Sequence, residues 1–195
     1  QFLPVILTMF VLFATTLTAQ VIVEERRTGT LERLLTTRLS VGQLFFGKFI
    51  AGISRGFIQT LILLVLSYAV FQLFTPLSFL ESLIIALVFS AAASALGLVI
   101  AAIARTPDQA TWIAVFITMV MVMFSGTFFP ISEGSVFETL SKFSLNTYAI
   151  GAFNTIITEG GSLADLGLEL GVMAGVMVVG VILSRIFFKA MPGGK

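Results

Sequence analysis

Glu24-Glu25-Arg26-Arg27-Thr28-Gly29-Thr30-Leu31-Glu32-Arg33-Leu34-Leu35-Thr36-Thr37-Arg38-Leu39-Ser40, running on to Lys48, is a long polar island near the start of an otherwise apolar chain. Eight of the 21 formal charges lie in it: Glu24, Glu25, Arg26, Arg27, Glu32, Arg33, Arg38 and Lys48. No charge occurs from Phe2 to Val23, and from Phe49 to Phe71 only Arg55 interrupts the apolar run. A membrane helix needs about 20 mostly apolar residues. Both flanks qualify, so the island reads as the water-side link between two membrane spans.

Composition points the same way. The 195 residues are 57% hydrophobic and 11% charged, with mean hydropathy +1.08, whereas soluble domains carry about 25% charged residues. A globule of this size keeps much of its surface in water and cannot hide so much apolar area, which leaves a bilayer and its lipid as the surroundings. A net charge of +1 gives no footprint for nucleic acid. With neither Cys nor His, the chain lacks thiol nucleophiles, imidazole bases and the usual zinc or haem ligands. No catalytic constellation, metal site or cofactor is expected in this chain.

Working outward, the expectation is one all-α polytopic membrane domain over 1–195. Its spans fall at about 2–23, 49–71, 82–104, 109–125 and 166–188. Lys and Arg concentrate on the cytoplasmic side of membrane proteins. With the island inside, that side holds Arg26, Arg27, Arg33, Arg38, Lys48, Arg55, Arg105, Arg185, Lys189 and Lys195, and the outer side holds Lys142. Five spans then place Gln1 outside and Lys195 in the cytoplasm. The chain opens directly on an apolar run, with no basic n-region before it and no cleavage site after it, so that run is not a signal peptide. A preceding segment is expected to be missing.

Helix starts are marked by a hydroxyl three residues before an acid or amide, the reciprocal pairing that satisfies amides orphaned at a helix N-terminus. Ser40/Gln43, Ser78/Glu81, Thr106/Gln109, Ser135/Glu138 and Ser162/Asp165 all have this spacing. Pro107 suits a first helical position. The second helix is expected to begin at 41, near the interface, and to continue into the membrane. Between the fourth and fifth spans, Val136, Phe137, Leu140 and Phe143 share one face of a short amphipathic helix. A second helix, about 147–158, is expected to be capped by Asn146 and stopped at Gly160-Gly161. Neither can cross, so 136–158 is expected to dip into the outer leaflet and return.

Four features are candidates for function. Leu31, Leu34 and Leu35 share a face of a short helix after Gly29, which reads either as a solvated loop or as a docking element for a soluble partner. Its mixture of acids and bases suits a protein better than simple lipid adhesion. Arg55 and Gln59, one turn apart in the second span, are intramembrane polar residues. Arg55 lies close enough to the inner boundary to reach water or to pair with Glu24 or Glu25, and the pair is read as structural. Ser90, Ala91, Ala92, Ala93, Ser94 and Gly97, and the Gly171/Gly175 pair, are small residues that allow close helix packing in lipid. Finally, the first and fourth spans carry Phe10, Phe13, Trp112, Phe116, Met119, Met121, Met123, Phe124 and Phe128, mostly lipid-facing or core by type. Thr8, Thr15, Thr16, Thr118 and Ser125 are their polar groups.

The run from Glu25 to Ser40 followed by Gly47-Lys48, then Ala104-Arg105-Thr106 with Gln109, then Ser125-Gly126-Thr127-Phe128-Phe129-Pro130-Ile131, then Asn146-Thr147-Tyr148, resembles in order the ATP-binding-cassette type-2 permeases. Arg38 departs from the Pro that members often carry there. The resemblance implies an exporter's membrane subunit of six spans, of which this chain would hold the second to the sixth, in a bacterial or archaeal plasma membrane. It implies that 29–38 is a coupling helix touching a nucleotide-binding subunit, with Glu24, Glu25, Gly29, Thr30, Glu32, Arg33 and Leu34 at the contact. It implies a second permease copy, identical or not. Phe10, Phe13, Phe116, Met119 and Phe124 would then line the path of a hydrophobic or amphipathic substrate. ATP and Mg would be bound by the partner subunit, because this chain has no Gly-x-x-x-x-Gly-Lys-[Ser/Thr] loop. The rival reading is an ATP-independent carrier or a membrane scaffold. An ion-driven carrier places acids at mid-membrane, and the acids here fall at span ends.

Overall fold

The computed structural model describes residues 2–30, 40–71, 75–126 and 136–189. Helix α1 runs Phe2–Arg27, α2 Val41–Phe71, α3 Pro76–Ile103 and α4 Pro107–Phe124. The short α5, Val136–Ser141, and α6, Leu145–Ile157, follow. A 3-10 turn at Leu163–Leu166 then leads into α7, Gly167–Lys189. The four long helices α1 to α4, and the 3-10 turn with α7, are long and apolar enough to cross a bilayer. The fold is all-α and polytopic, with no strand among the described residues. The expected coupling helix at 29–38 lies outside the described residues, apart from Gly29 and Thr30.

The elements follow their caps. Ser40 and Gln43 form the expected reciprocal pair: the Ser40 amide donates to Gln43 Oε1 at 2.9 Å, and the Gln43 amide donates to Ser40 Oγ at 3.2 Å. From there α2 continues without a break to Phe71. At α4, Thr106 Oγ1 accepts from the Gln109 amide at 3.2 Å and Pro107 takes the first turn. Ser162 and Asp165 also pair, but they cap the 3-10 turn before α7.

Two caps differ from expectation. Helix α3 starts at Pro76, not near Glu81, because Thr75 and Pro76 supply a cap and a preset first turn. Thr75 Oγ1 accepts from the Ser78 amide at 3.2 Å, so Ser78 is inside the helix. Glu81, released from capping, accepts instead from the Leu163 amide at 3.3 Å and joins the start of α3 to the approach of α7. Asn146 does not cap α6 either. Ser144 holds the N-cap position and Asn146, the second residue of the helix, is fully buried in its first turn.

Helix α3 is the centre of the bundle, with α1, α2 and α7 packed around it. Ser90, Ala91, Ala92, Ala93, Ser94, Ala95 and Gly97 are all buried. Small side chains let backbones approach closely where lipid removes any gain from mere oiliness. The partners on α2 are Gly52 and Gly56. A Cβ on Gly52 would come within 2.2 Å of Ser94 Oγ, and one on Gly56 within 3.0 Å of Ser90 Oγ. On α7 it is Gly180 that approaches α3, where a Cβ would meet that of Ala95 at 2.9 Å. Gly171 and Gly175 are exposed, with nothing within 4 Å of a Cβ built on either. They make no close packing among the described residues.

Ser94 cannot yield freely, because its hydroxyl donates to the Phe49 carbonyl at 2.9 Å. Gly52→Ala should therefore cost about 1–3 kcal/mol by overpacking and lower the melting temperature of the detergent-purified protein. Gly171→Ala should leave the melting temperature unchanged or raise it.

Candidate functional site

The charged end of the bundle gathers the groups that the sequence singles out. Helix α1 carries Glu24–Arg27 as its last turn and stops where Gly29 takes φ +69°, a left-handed conformation natural to glycine at a helix end. Thr28 Oγ1 donates to the Glu24 carbonyl at 3.0 Å and lies 3.0 Å from Thr30 Oγ1. Glu24, Arg27, Thr28 and Thr30 are exposed. Glu32, Arg33 and Leu34 lie outside the described residues.

Two side chains of this turn face inward. Glu25 forms an ion pair with Lys48, which ties α1 to the second turn of α2. Arg26 reaches α3: its guanidinium donates to the Ala101 carbonyl at 3.3 Å and to the Ala104 carbonyl. The last carbonyls of a helix have no partner within it, and a cation there also meets the negative end of the helix dipole. Arg26 thus acts as a C-terminal cap supplied from another helix. Nothing in the sequence separated Arg26 from Arg27, and only the placement of α3 does so. The turn after Ala104 is short and closed, with the Arg105 amide donating to Gln109 Oε1 at 2.9 Å.

Gly42-Gln-Leu-Phe-Phe-Gly47-Lys48-Phe49 comes within one residue of the phosphate-loop pattern, with Phe49 in place of Ser or Thr. It lies within α2. Its amides are taken up by the helix and Lys48 by Glu25, so it cannot cradle phosphates as the loop does. Among the described residues no three His, Cys, Asp or Glu side chains are grouped to hold a metal.

Arg55 is exposed on α2, with Gln59 half-buried one turn on. Of the two alternatives for Arg55, reaching water or pairing with Glu24 or Glu25, its exposure agrees with the first; Glu25 pairs with Lys48, two turns nearer the helix start.

Along the spans, α1 and α4 pack together and each keeps an apolar stripe outside the core. On α1 it runs Ile6, Phe10, Phe13, Leu17 and Val21. On α4 it runs Trp112, Phe116, Met119 and Met123, with Trp112 74% and Phe116 69% exposed. Four of the five residues expected to line a path, Phe10, Phe13, Phe116 and Met119, are on these stripes. The fifth, Phe124, is half-buried and helps line a cavity of about 250 Å³ with Phe116, Val120, Met121, Leu140 and Phe143. Thr8, Thr15, Thr16, Thr118 and Ser125 are buried and so are not on the stripes. Thr8, Thr15 and Ser125 donate to carbonyls of their own helices.

At the opposite end, α6 is fastened to the end of α4. Ser144 Oγ donates to the Met121 carbonyl at 2.8 Å, and the Asn146 side-chain amide donates to Ser125 Oγ at 2.9 Å. Asn146→Ala should cost about 0.6–1.7 kcal/mol, the range for such bonds between membrane helices. Asn146→Asp should cost more, since it removes the donor and buries a carboxyl without one. Thermal unfolding of the three proteins in one detergent gives the order.

The sequence matches the family described as ABC-2 type transporter over residues 1–158. Among curated proteins, the linearmycin resistance permease protein LnrN of Bacillus subtilis (strain 168) is 27% identical over 159 residues. That alignment covers 81% of this chain and 41% of LnrN, so the chain spans less than half the length of that relative. The family match takes in α1 to α6 and the whole charged end, and the chain belongs to the ABC-2 type transporter membrane family.

Proposed function

We propose that this chain is part of the permease subunit of an exporter driven by ATP hydrolysis in a separate nucleotide-binding subunit or domain. The charged end faces the cytoplasm, residues 24–38 dock the ATPase, and Gln1 lies on the outer side. Two permease copies enclose a central path lined by the apolar stripes of α1 and α4. Hydrophobic or amphipathic compounds leave along it. The resistance named for LnrN is consistent with efflux of a harmful compound.

The observation that carries this reading is the division of labour in the last turn of α1. Glu25 and Arg26 are committed to α2 and α3, while Glu24, Arg27, Thr28 and Thr30 are left exposed at the tip. A solvated loop needs no such fastening. A lever pushed by a docked subunit does. The rival ion-driven carrier has less support, because the acids of the described helices sit within about two turns of helix ends: Glu24, Glu25, Glu81, Asp108, Glu138, Asp165 and Glu169.

Changing Glu24, Glu32 and Arg33 together to Ala leaves the Glu25–Lys48 and Arg26–α3 ties intact. In the complete permease it should weaken assembly with the cognate nucleotide-binding subunit by on the order of tenfold or more. Permease-dependent stimulation of ATPase activity should fall with it. Full assembly and full stimulation in the triple variant would rule out docking at this segment.

A further inference from the structure

We propose that Arg26 is the positioning residue that makes α3 and α4 follow the coupling segment. This role rests on the exporter reading above and deepens it. A docking element at 24–38 is covalently continuous with α1 and α2 only. Nothing in the chain's connectivity obliges α3 or α4 to move with it. Arg26 supplies that link through space, because its guanidinium holds the Ala101 carbonyl in the final turn of α3 and the carbonyl of its C-cap residue, Ala104. Both alanines are buried. If α1 drew away, these carbonyls would lose the charge-assisted bonds that Arg26 supplies, which are roughly twice as strong as neutral ones.

The link does not stop at α3. Only Ala104, Arg105 and Thr106 separate α3 from α4. That turn is closed by Gln109, which accepts from the Arg105 amide and donates its own amide to Thr106 Oγ1. A displacement delivered to Ala104 therefore passes to Pro107 with little slack. The packing beneath agrees: Ala19, Ile22 and Val23 of α1 share one buried cluster with Leu98, Ala101 and Ala104 of α3 and with Ala110 and Ala114 of α4. Alanines line the direct contact of α4 with α1, and Arg26 adds a polar grip at the charged end to the close fit that α1 makes with α3 at Gly97. Arg55, exposed on α2 and outside the docking segment, serves as the internal control.

The test uses the full-length permease assembled with its nucleotide-binding subunit in lipid nanodiscs, with spin labels at Thr28→Cys and Asp108→Cys. The 195 residues contain no cysteine of their own. Distances are measured by pulsed electron resonance without nucleotide and with ATP plus vanadate. A second sample carries Thr28→Cys alone and reads the distance between the two permease copies.

In the parent, the distance between copies should shift with nucleotide while the 28–108 distribution stays narrow and fixed. Arg26→Met should broaden the 28–108 distribution and make it nucleotide-dependent. Arg26→Lys, which keeps a cationic donor for the same carbonyls, should restore much of the parent behaviour, and Arg55→Met should leave it unchanged. If Arg26→Met fails to assemble, Arg26→Gln takes its place, with the same broadening expected. A 28–108 distribution as narrow in the Met or Gln variant as in the parent would overturn the role of Arg26 while leaving the exporter reading in place. A distance between copies that ignores nucleotide in the parent would overturn both.

Discussion

Hydrocarbon tails are as apolar as leucine, so a helix in a bilayer gains nothing from being oily; it associates by fitting. In this protein the fit is made on α3. Its Ser90, Ser94, Ala95 and Gly97 give up side-chain volume so that neighbouring backbones can close in, and Gly52, Gly56 and Gly180 answer from α2 and α7. At Gly97 the approach comes from α1, where a Cβ would meet the Thr15 carbonyl at 3.2 Å and the Thr18 side chain at 3.3 Å, tighter than ordinary contact. Three helices are thus indexed to one, and both the charged end and the opposite end inherit their geometry from that indexing.

The two ends are fastened in different ways. At the charged end the ties are ionic or charge-assisted, Glu25 to Lys48 and Arg26 to the end of α3, and they reach across helices far apart in sequence. At the other end two ties are neutral, Ser144 to Met121 and Asn146 to Ser125, and one, the Leu163 amide to Glu81, has a carboxylate acceptor. A charge-assisted bond is roughly twice as strong as a neutral one. The arrangement holds the charged ends of α1, α2 and α3 as a unit, while at the opposite end the α4–α6 ties are neutral and Glu81 alone brings a charge to the α3–α7 approach.

Much of this was legible in the residues alone. Spans of about 20 apolar residues announce themselves, and the Ser40/Gln43 and Thr106/Gln109 pairs mark helix starts where the structure has them, because capping is a local interaction. Local rules failed where two of them competed. Thr75-Pro76 outranked Ser78/Glu81 because a proline at the first turn adds a preset φ to a hydroxyl cap. Asn146 looked like a cap, but its amide had a buried partner 21 positions back. The small-residue pairs show the limit most clearly. Gly52/Gly56 and Gly171/Gly175 have the same spacing, and only tertiary placement decides that the first pair is packed and the second exposed. Arg26 was illegible for the same reason: the carbonyls it caps lie 75 and 78 residues away.

Trp112 is the chain's one tryptophan, and it lies on the exposed stripe of α4 with Phe116 and Met119. Indole emission moves to the blue in an apolar setting and to the red in water. This part of the protein therefore carries a built-in optical probe on the surface assigned to the transport path. Its colour reads whether that face is covered by acyl chains, by another helix or by a wet cavity, with no label attached.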